Sequence, residues 1–288
     1  MTIRFHDSPG RSEPTKPRPA RGAEVASGFK DEEEDGVEFD PKRDISKKDW
    51  ERMKGQLEKK RAEKNWWHFS YVAMYLCILF PERKAELNLN EAVFSGIKSE
   101  LVSRRGSNWV GFSDVAMNLL LIFPDRKSEL ELDDEVFGVL SNELEKRRGS
   151  KNWAGFGEDA MALLLFFPSR RSELNFSDDV FDEIKDKLEA SRERDWWNFS
   201  VMAMYLFFLF PDRKDEIRMD GAAFNGMKDE LFELRRMDDM ESFSDMATHL
   251  YFLAAERVQI TENGIVVTSK KPRLSREPKP LPVRSNIA

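Results

Sequence analysis

Cysteine is nearly absent from this chain of 288 residues: Cys77 stands alone, so an intramolecular disulfide is excluded. Its place in the apolar run Leu76 to Phe80 predicts a buried, inert thiol in a reducing compartment. Histidine is scarce too: His6 falls in the head expected to be disordered, and His68 and His249 sit on helix A without a repeated Asp, Glu or Cys at metal-ligand spacing. There is no HExxH, no CxxC pair and no glycine-rich loop between strand and helix, so the common metal, redox and phosphate-cradling motifs are excluded. The expectation is a non-catalytic protein with no metal and no cofactor. A carboxylate dyad among the 53 acidic residues is the one catalytic arrangement a linear pattern would hide.

Long apolar runs are missing as well. The greasiest stretches, residues 72–80 and 201–210, hold nine and ten residues, about half of the roughly 20 that a membrane span takes. The amino terminus lacks the apolar core of a secretory signal, and a cytoplasmic location is expected. Nor is there a surplus of basic charge. The formal net charge is −7, with 32 basic and 40 acidic groups in residues 45–261, which argues against a duplex-binding surface.

What the chain does contain is a repeat. Asn or Asp, Trp, two residues, Phe, a small residue, two residues, Ala-Met, an apolar run and Phe-Pro recur from Trp66, Trp109, Trp153 and Trp196, closing at Pro81, Pro124, Pro168 and Pro211. The offsets are 43, 44 and 43 residues, and a weaker fifth copy opens at Met240 with Phe243 and Ala247. A fixed period in this range signals stacked supersecondary units.

Two helices per unit can be read. Helix A begins after the caps Asn65, Asn108, Asn152, Asp195 and Asp239, whose short polar side chains suit the orphan amides of a first turn. It ends at Phe-Pro, because proline disfavours helical geometry in the residue before it. Apolar nearly all round, it should be buried, with Ala73, Ala116, Ala160, Ala203 and Ala247 marking close helix crossings.

Helix B follows a staple residue and a cap, as in Leu89-Asn90 or Met219-Asp220, and carries one apolar stripe such as Phe94, Ile97 and Leu101. Trp50, Met53 and Leu57 fit the same frame, so the ordered body should begin with an unpaired helix B capping an exposed end. Between the helices, Pro-acid-Arg-Lys-x-Glu-Leu predicts a short turn of helix.

Residues 1–44, rich in Pro, Gly, Ser and mixed charge, should be disordered, and so should the basic, Pro-rich tail 269–288. Residues 258–268 read as a β-hairpin on an Asn263-Gly264 turn, resting on the last repeat. Residues 45–257 resemble the α-solenoids of the HEAT and armadillo class in unit length and in paired antiparallel helices. The resemblance implies an all-α rod or gentle arc of about five helical hairpins, and no functional residue follows from it.

Two residue sets can carry function. Units one and four place Trp67, Tyr71 and Tyr75, and Trp197, Val201 and Tyr205, where units two and three have Val110, Asp114 and Asn118, and Ala154, Glu158 and Ala162. Offsets of four residues align each set on one helix face. That predicts a helix-A face with aromatic ends and an acidic middle, suited to a basic or amphipathic peptide or protein partner. The competing reading is end packing by neighbouring segments.

The second set is a ladder of basic pairs after helix A: Arg83-Lys84, Arg126-Lys127, Arg170-Arg171 and Arg213-Lys214. It could grip phosphates, which makes nucleic-acid binding the alternative function. Cations are also favoured at helix carboxyl ends, which is the structural explanation for the same pattern.

Overall fold

The computed structural model describes residues 44–255, 257–261 and 264–268. The segments expected to be disordered lie outside the described residues, apart from Asp44. Ten α-helices are seen among the described residues: α1 (Lys47–Ala62), α2 (Trp66–Leu79), α3 (Glu91–Arg104), α4 (Trp109–Ile122), α5 (Asp134–Gly149), α6 (Trp153–Phe166), α7 (Asp178–Ser191), α8 (Trp196–Leu209), α9 (Gly221–Arg236) and α10 (Met240–Ala254). The even helices are the helix-A copies and the odd ones the helix-B copies. Strands β1 (Arg257–Thr261) and β2 (Gly264–Thr268) follow.

Local chemistry sets these limits. Each even helix has the expected cap, with the Asn65, Asn108, Asn152, Asp195 or Asp239 side chain accepting the amide of the third helical residue. Ser46 and Asp49 form a reciprocal capping box at the start of α1. Four short 3-10 turns, each opening on the Pro of Phe-Pro, join even helices to the next odd ones. The return links run through left-handed residues, Lys64, Gly106, Lys151, Glu193 and Asp238, only one of which is glycine.

Each odd helix packs on the even helix that follows it, so α1 is paired with α2 rather than left as a lone cap. The even helices pack side by side, α2 on α4, α4 on α6, α6 on α8 and α8 on α10. Helix α10 then packs on α2, and the row expected to be an open rod or arc closes into a ring of five inner helices with the odd helices outside.

The closing seam uses the repeat's own bond. Near the end of each odd helix an arginine donates to a backbone carbonyl just before the next odd helix: Arg61 to Leu87 at 2.5 Å, Arg105 to Glu131 at 3.2 Å, Arg148 to Asn175 at 2.5 Å and Arg192 to Arg218 at 2.5 Å. The fifth, Arg235 to Asp44 at 2.8 Å, joins the last odd helix to the first, and Arg235 also pairs with buried Asp49 at 3.0 Å. Arg52 and Asp238 form a further ion pair across the same seam.

The core has two shells. Between inner and outer helices lie the motif phenylalanines Phe69, Phe112, Phe156, Phe199 and Phe243 with Trp50, Phe94 and Phe181 from the odd helices, all essentially inaccessible. The motif alanines are fully buried, as close helix crossings require. Cys77 is buried, and burial pushes its thiol up to about 11. The second shell fills the axis of the ring.

Strands β1 and β2 form the expected antiparallel hairpin, β1 lying against α6 and α8 and β2 against α4. Thr261 pairs with Gly264, so Gly264 opens the returning strand instead of completing an Asn-Gly turn. No helix among the described residues is long and apolar enough to cross a membrane.

Candidate functional site

The five inner helices run parallel, so equivalent positions form layers around the axis. At three of the five junctions the small motif residue after the Phe, Ser70, Gly157 or Ser200, meets the tenth residue of the next inner helix. Asn118 Nδ2 donates to Ser70 Oγ at 3.0 Å, and Ser200 Oγ lies 2.8 Å from His249 Nδ1. Gly157 sits so close to Tyr205 that a Cβ there would overlap the tyrosine ring. At the seam, Tyr75 donates to Asp245, the neighbour of Ser244. One layer nearer the amino ends, Tyr71 donates to Asp114 at 2.9 Å.

The sequence-derived face is thereby brought together, but inside the ring. Tyr75 is 2% exposed, and Asp114, Asn118 and Tyr205 are at 0%, which removes them from any outer docking surface. Tyr71 is buried as well, while Trp67, Glu158 and Trp197 remain half-buried toward the amino-terminal mouth. The first tryptophan of each pair is packing: the Trp66 and Trp196 rings lie against Gly96 and Gly226 of the next odd helix, where any Cβ would overlap them.

Burial governs the chemistry of this interior. It pushes the Asp245 carboxyl well above the usual carboxylate range, helped by nearby Glu241, Asp239 and Glu158 and opposed by the Tyr75 bond. Tyr75 is pushed up by burial and then by Asp245, and Tyr205 by burial and then by Glu158. His249, stripped of water, falls to about 3 and is a neutral imidazole at ordinary pH. The result is a ring axis filled with mostly uncharged hydrogen-bonding groups. Among the described residues no three His, Cys, Asp or Glu side chains group as metal ligands would.

Sequence reasoning did not connect Asp245, His249, Ser70 and Ser200 to this set. The signal was available in the weak fifth copy: aligned on Met240, Asp245 and His249 occupy the positions of Tyr71 and Tyr75.

An opening leads toward this interior. At the seam between α1, α2 and α10 lies a cleft of about 290 Å³ whose walls include Tyr71, Val72, Tyr75 and Met240. Lys59, Lys60 and His68 stand on one side, and Asp238, Asp239 and Glu241 on the other.

The basic ladder is engaged within the fold. The first cation of each pair stacks on an aromatic ring of the preceding odd helix: Arg83 on Trp50 at 3.9 Å, Arg126 on Phe94 at 3.3 Å, Arg170 on Phe137 at 3.4 Å and Arg213 on Phe181 at 3.6 Å. Each also pairs with a glutamate three residues on, at 2.6 to 2.7 Å, and that bond raises the pKa of the guanidinium. The second cation reaches forward to a carbonyl at the end of the next inner helix: Lys84 to Ile122 at 2.6 Å, Lys127 to Leu165 at 3.3 Å, Arg171 to Leu209 and Lys214 to Ala255 at 2.7 Å. These carbonyls have no intrahelical donor, and a cation there meets the negative end of the helix.

No known protein family, curated protein or solved structure matches this chain.

Proposed function

We propose that the protein is a non-catalytic interaction scaffold that takes an extended basic peptide across the amino-terminal mouth of the ring, with one cationic side chain seated in the seam cleft. The observation that carries this reading is the cleft itself. It leads inward to the buried Tyr71 and Tyr75, with Asp238, Asp239 and Glu241 on one side facing Lys59 and Lys60 on the other, and Trp67 and Trp197 are half-buried at the same mouth. Aromatic walls beside carboxylates suit a guanidinium or ammonium group on an apolar stem. The consumed basic ladder supports the same choice over nucleic acid, because its cations already hold carboxylates, rings and helix ends.

Selection from a random displayed-peptide library against the full chain tests it. Enrichment of Arg- or Lys-bearing sequences is expected, with binding weakened at least about tenfold by Glu241→Gln or by Trp67→Ala. Enrichment of acidic sequences, or binding indifferent to both changes, would reject it. Retention on heparin at low salt that falls steeply with added salt would instead favour nucleic acid.

A further inference from the structure

Neighbouring odd helices meet at five junctions around the ring, and the described 3-10 turns serve four of them. At each of the four, an arginine of the turn stacks on the first stripe ring of the preceding odd helix. The chain then runs along that helix to the carbonyl held by the arginine near its end. At the fifth junction, between α9 and α1, only the far end of this path is described, where Arg235 donates to Asp44. From these observations we propose that residues 37–43, which lie outside the described residues, dock along α9 as the fifth turn, with Phe39 against the Phe224 ring in place of the arginine.

Register is the first reason. Arg126, Arg170 and Arg213 each stand eleven residues before the ring that opens the next odd stripe, Phe137, Phe181 or Phe224. Each also stands five residues before the one whose carbonyl is held, Glu131, Asn175 or Arg218. Counted back from Trp50 and from Asp44, both intervals land on Phe39.

The second reason is that α9 departs from its own repeat in the way an aromatic partner needs. Elsewhere the stacking arginine also pairs with the first residue of the odd helix it covers: Arg126 with Glu91, Arg170 with Asp134 and Arg213 with Asp178. Arg213 reaches Asp182 and Arg83 reaches Glu51 as well, each the residue after the ring. At those two positions α9 has Gly221 and Asn225, so an arginine on Phe224 would find no carboxylate there. A phenylalanine needs none, and two rings with centroids about 4.5–7 Å apart attract one another. Among the described residues no cation or ring stacks on Phe224.

Apolar surface continues along the same path. Phe232 is 44% exposed where α1, α5 and α7 carry Glu58, Glu145 and Glu189, and its ring centroid lies 5.3 Å from the Arg235 guanidinium that holds Asp44. The segment that arrives at Asp44 therefore has an uncharged strip of α9 beside it.

The full chain tests the docking, with Phe29→Ala, a change in the same head but out of register, as the control. Phe39→Ala should quicken amide exchange in α9 by about tenfold or more and lower Tm by about 2–4 °C, and Phe29→Ala should do neither. Phe39→Arg should lower Tm as well. Adding Asn225→Asp to Phe39→Arg restores the pairing that Arg213 has with Asp182 and should recover most of the loss, whereas Asn225→Asp alone should bring no gain. A Phe39→Ala chain that matches the unaltered one in both measurements would leave the strip to some other occupant and overturn the proposal. So would an equal effect of Phe29→Ala, or a double variant no more stable than Phe39→Arg. Protection of α9 that weakens on dilution would assign the docked segment to a second copy of the chain, which also overturns docking within one chain.

Discussion

Single atoms decide the packing of the ring axis. Adding one methyl group at Gly157 drives it into the Tyr205 ring, and overpacking of this kind costs about 1–3 kcal/mol. At Gly138, a helical position on the outside, an added Cβ meets nothing, and alanine there should stabilise by roughly 0.5–1 kcal/mol through reduced backbone entropy. Urea denaturation of Gly157→Ala and Gly138→Ala should therefore shift the midpoint in opposite directions.

His249 supplies a second test at this scale. Burial holds its folded pKa at about 3, below the ordinary value near 6.5. A base depressed on folding contributes stability that is complete above about 6.5 and is lost as pH falls toward about 3. Replacement by Gln, which retains a hydrogen-bonding side chain, should flatten stability against pH in that window. Asp245 works with the opposite sign. Its carboxyl is raised by burial, so its stabilising share is full below about pH 3.9 and declines as pH climbs through the raised value. Asp245→Asn should remove that decline.

At the scale of elements, the links from odd to even helices carry a strain the chain tolerates. Lys64, Lys151, Glu193 and Asp238 sit with φ between 51° and 63°, where Gly106 serves the same link without a side chain. A left-handed L-residue costs about 1–2 kcal/mol, so Glu193→Gly should raise the free energy of unfolding by up to about 1 kcal/mol after the added entropy of glycine is counted. Asn152→Ala should lose about 1 kcal/mol, since the side chain caps α6 by accepting the Gly155 amide at 3.1 Å.

Elements were also where the sequence was most legible. Caps at Asn65 through Asp239, the stop at each Phe-Pro and the stripe of Phe94, Ile97 and Leu101 are local signals, and each describes what the backbone does there. The partners of those elements were not local. Tyr75 meets Asp245 across 170 residues, and nothing near either residue announces it. The unequal copies were visible as Tyr75, Asn118, Ala162, Tyr205 and His249, but their meaning came from the small residues opposite them on the neighbouring helix. Large side chains that look like an aromatic docking face are here the filling of a closed axis.

For the whole molecule, closure was beyond the pattern because curvature depends on the small rotation between units, which helix contacts set and residue periodicity does not encode. Closure has a measurable signature. An open array frays from both ends, whereas here α9 is fastened to α1 through Arg235 and α10 packs on α2 across the same seam. Arg235→Ala should cost about 1–3 kcal/mol by leaving buried Asp49 and the Asp44 carbonyl without that donor. Amide exchange should then quicken first in α1, α2 and α10, with α5 and α6 still protected. Uniform loss of protection would contradict a ring held at one seam.

The fifth arginine-to-carbonyl bond also fixes how this architecture can change over generations. An open solenoid lengthens by duplicating one unit, since every new copy meets the same neighbours. In a ring where Arg235 must land on Asp44, a sixth copy of 43 residues would part the ends, so gene duplication inside this domain should be selected against while substitution within units continues.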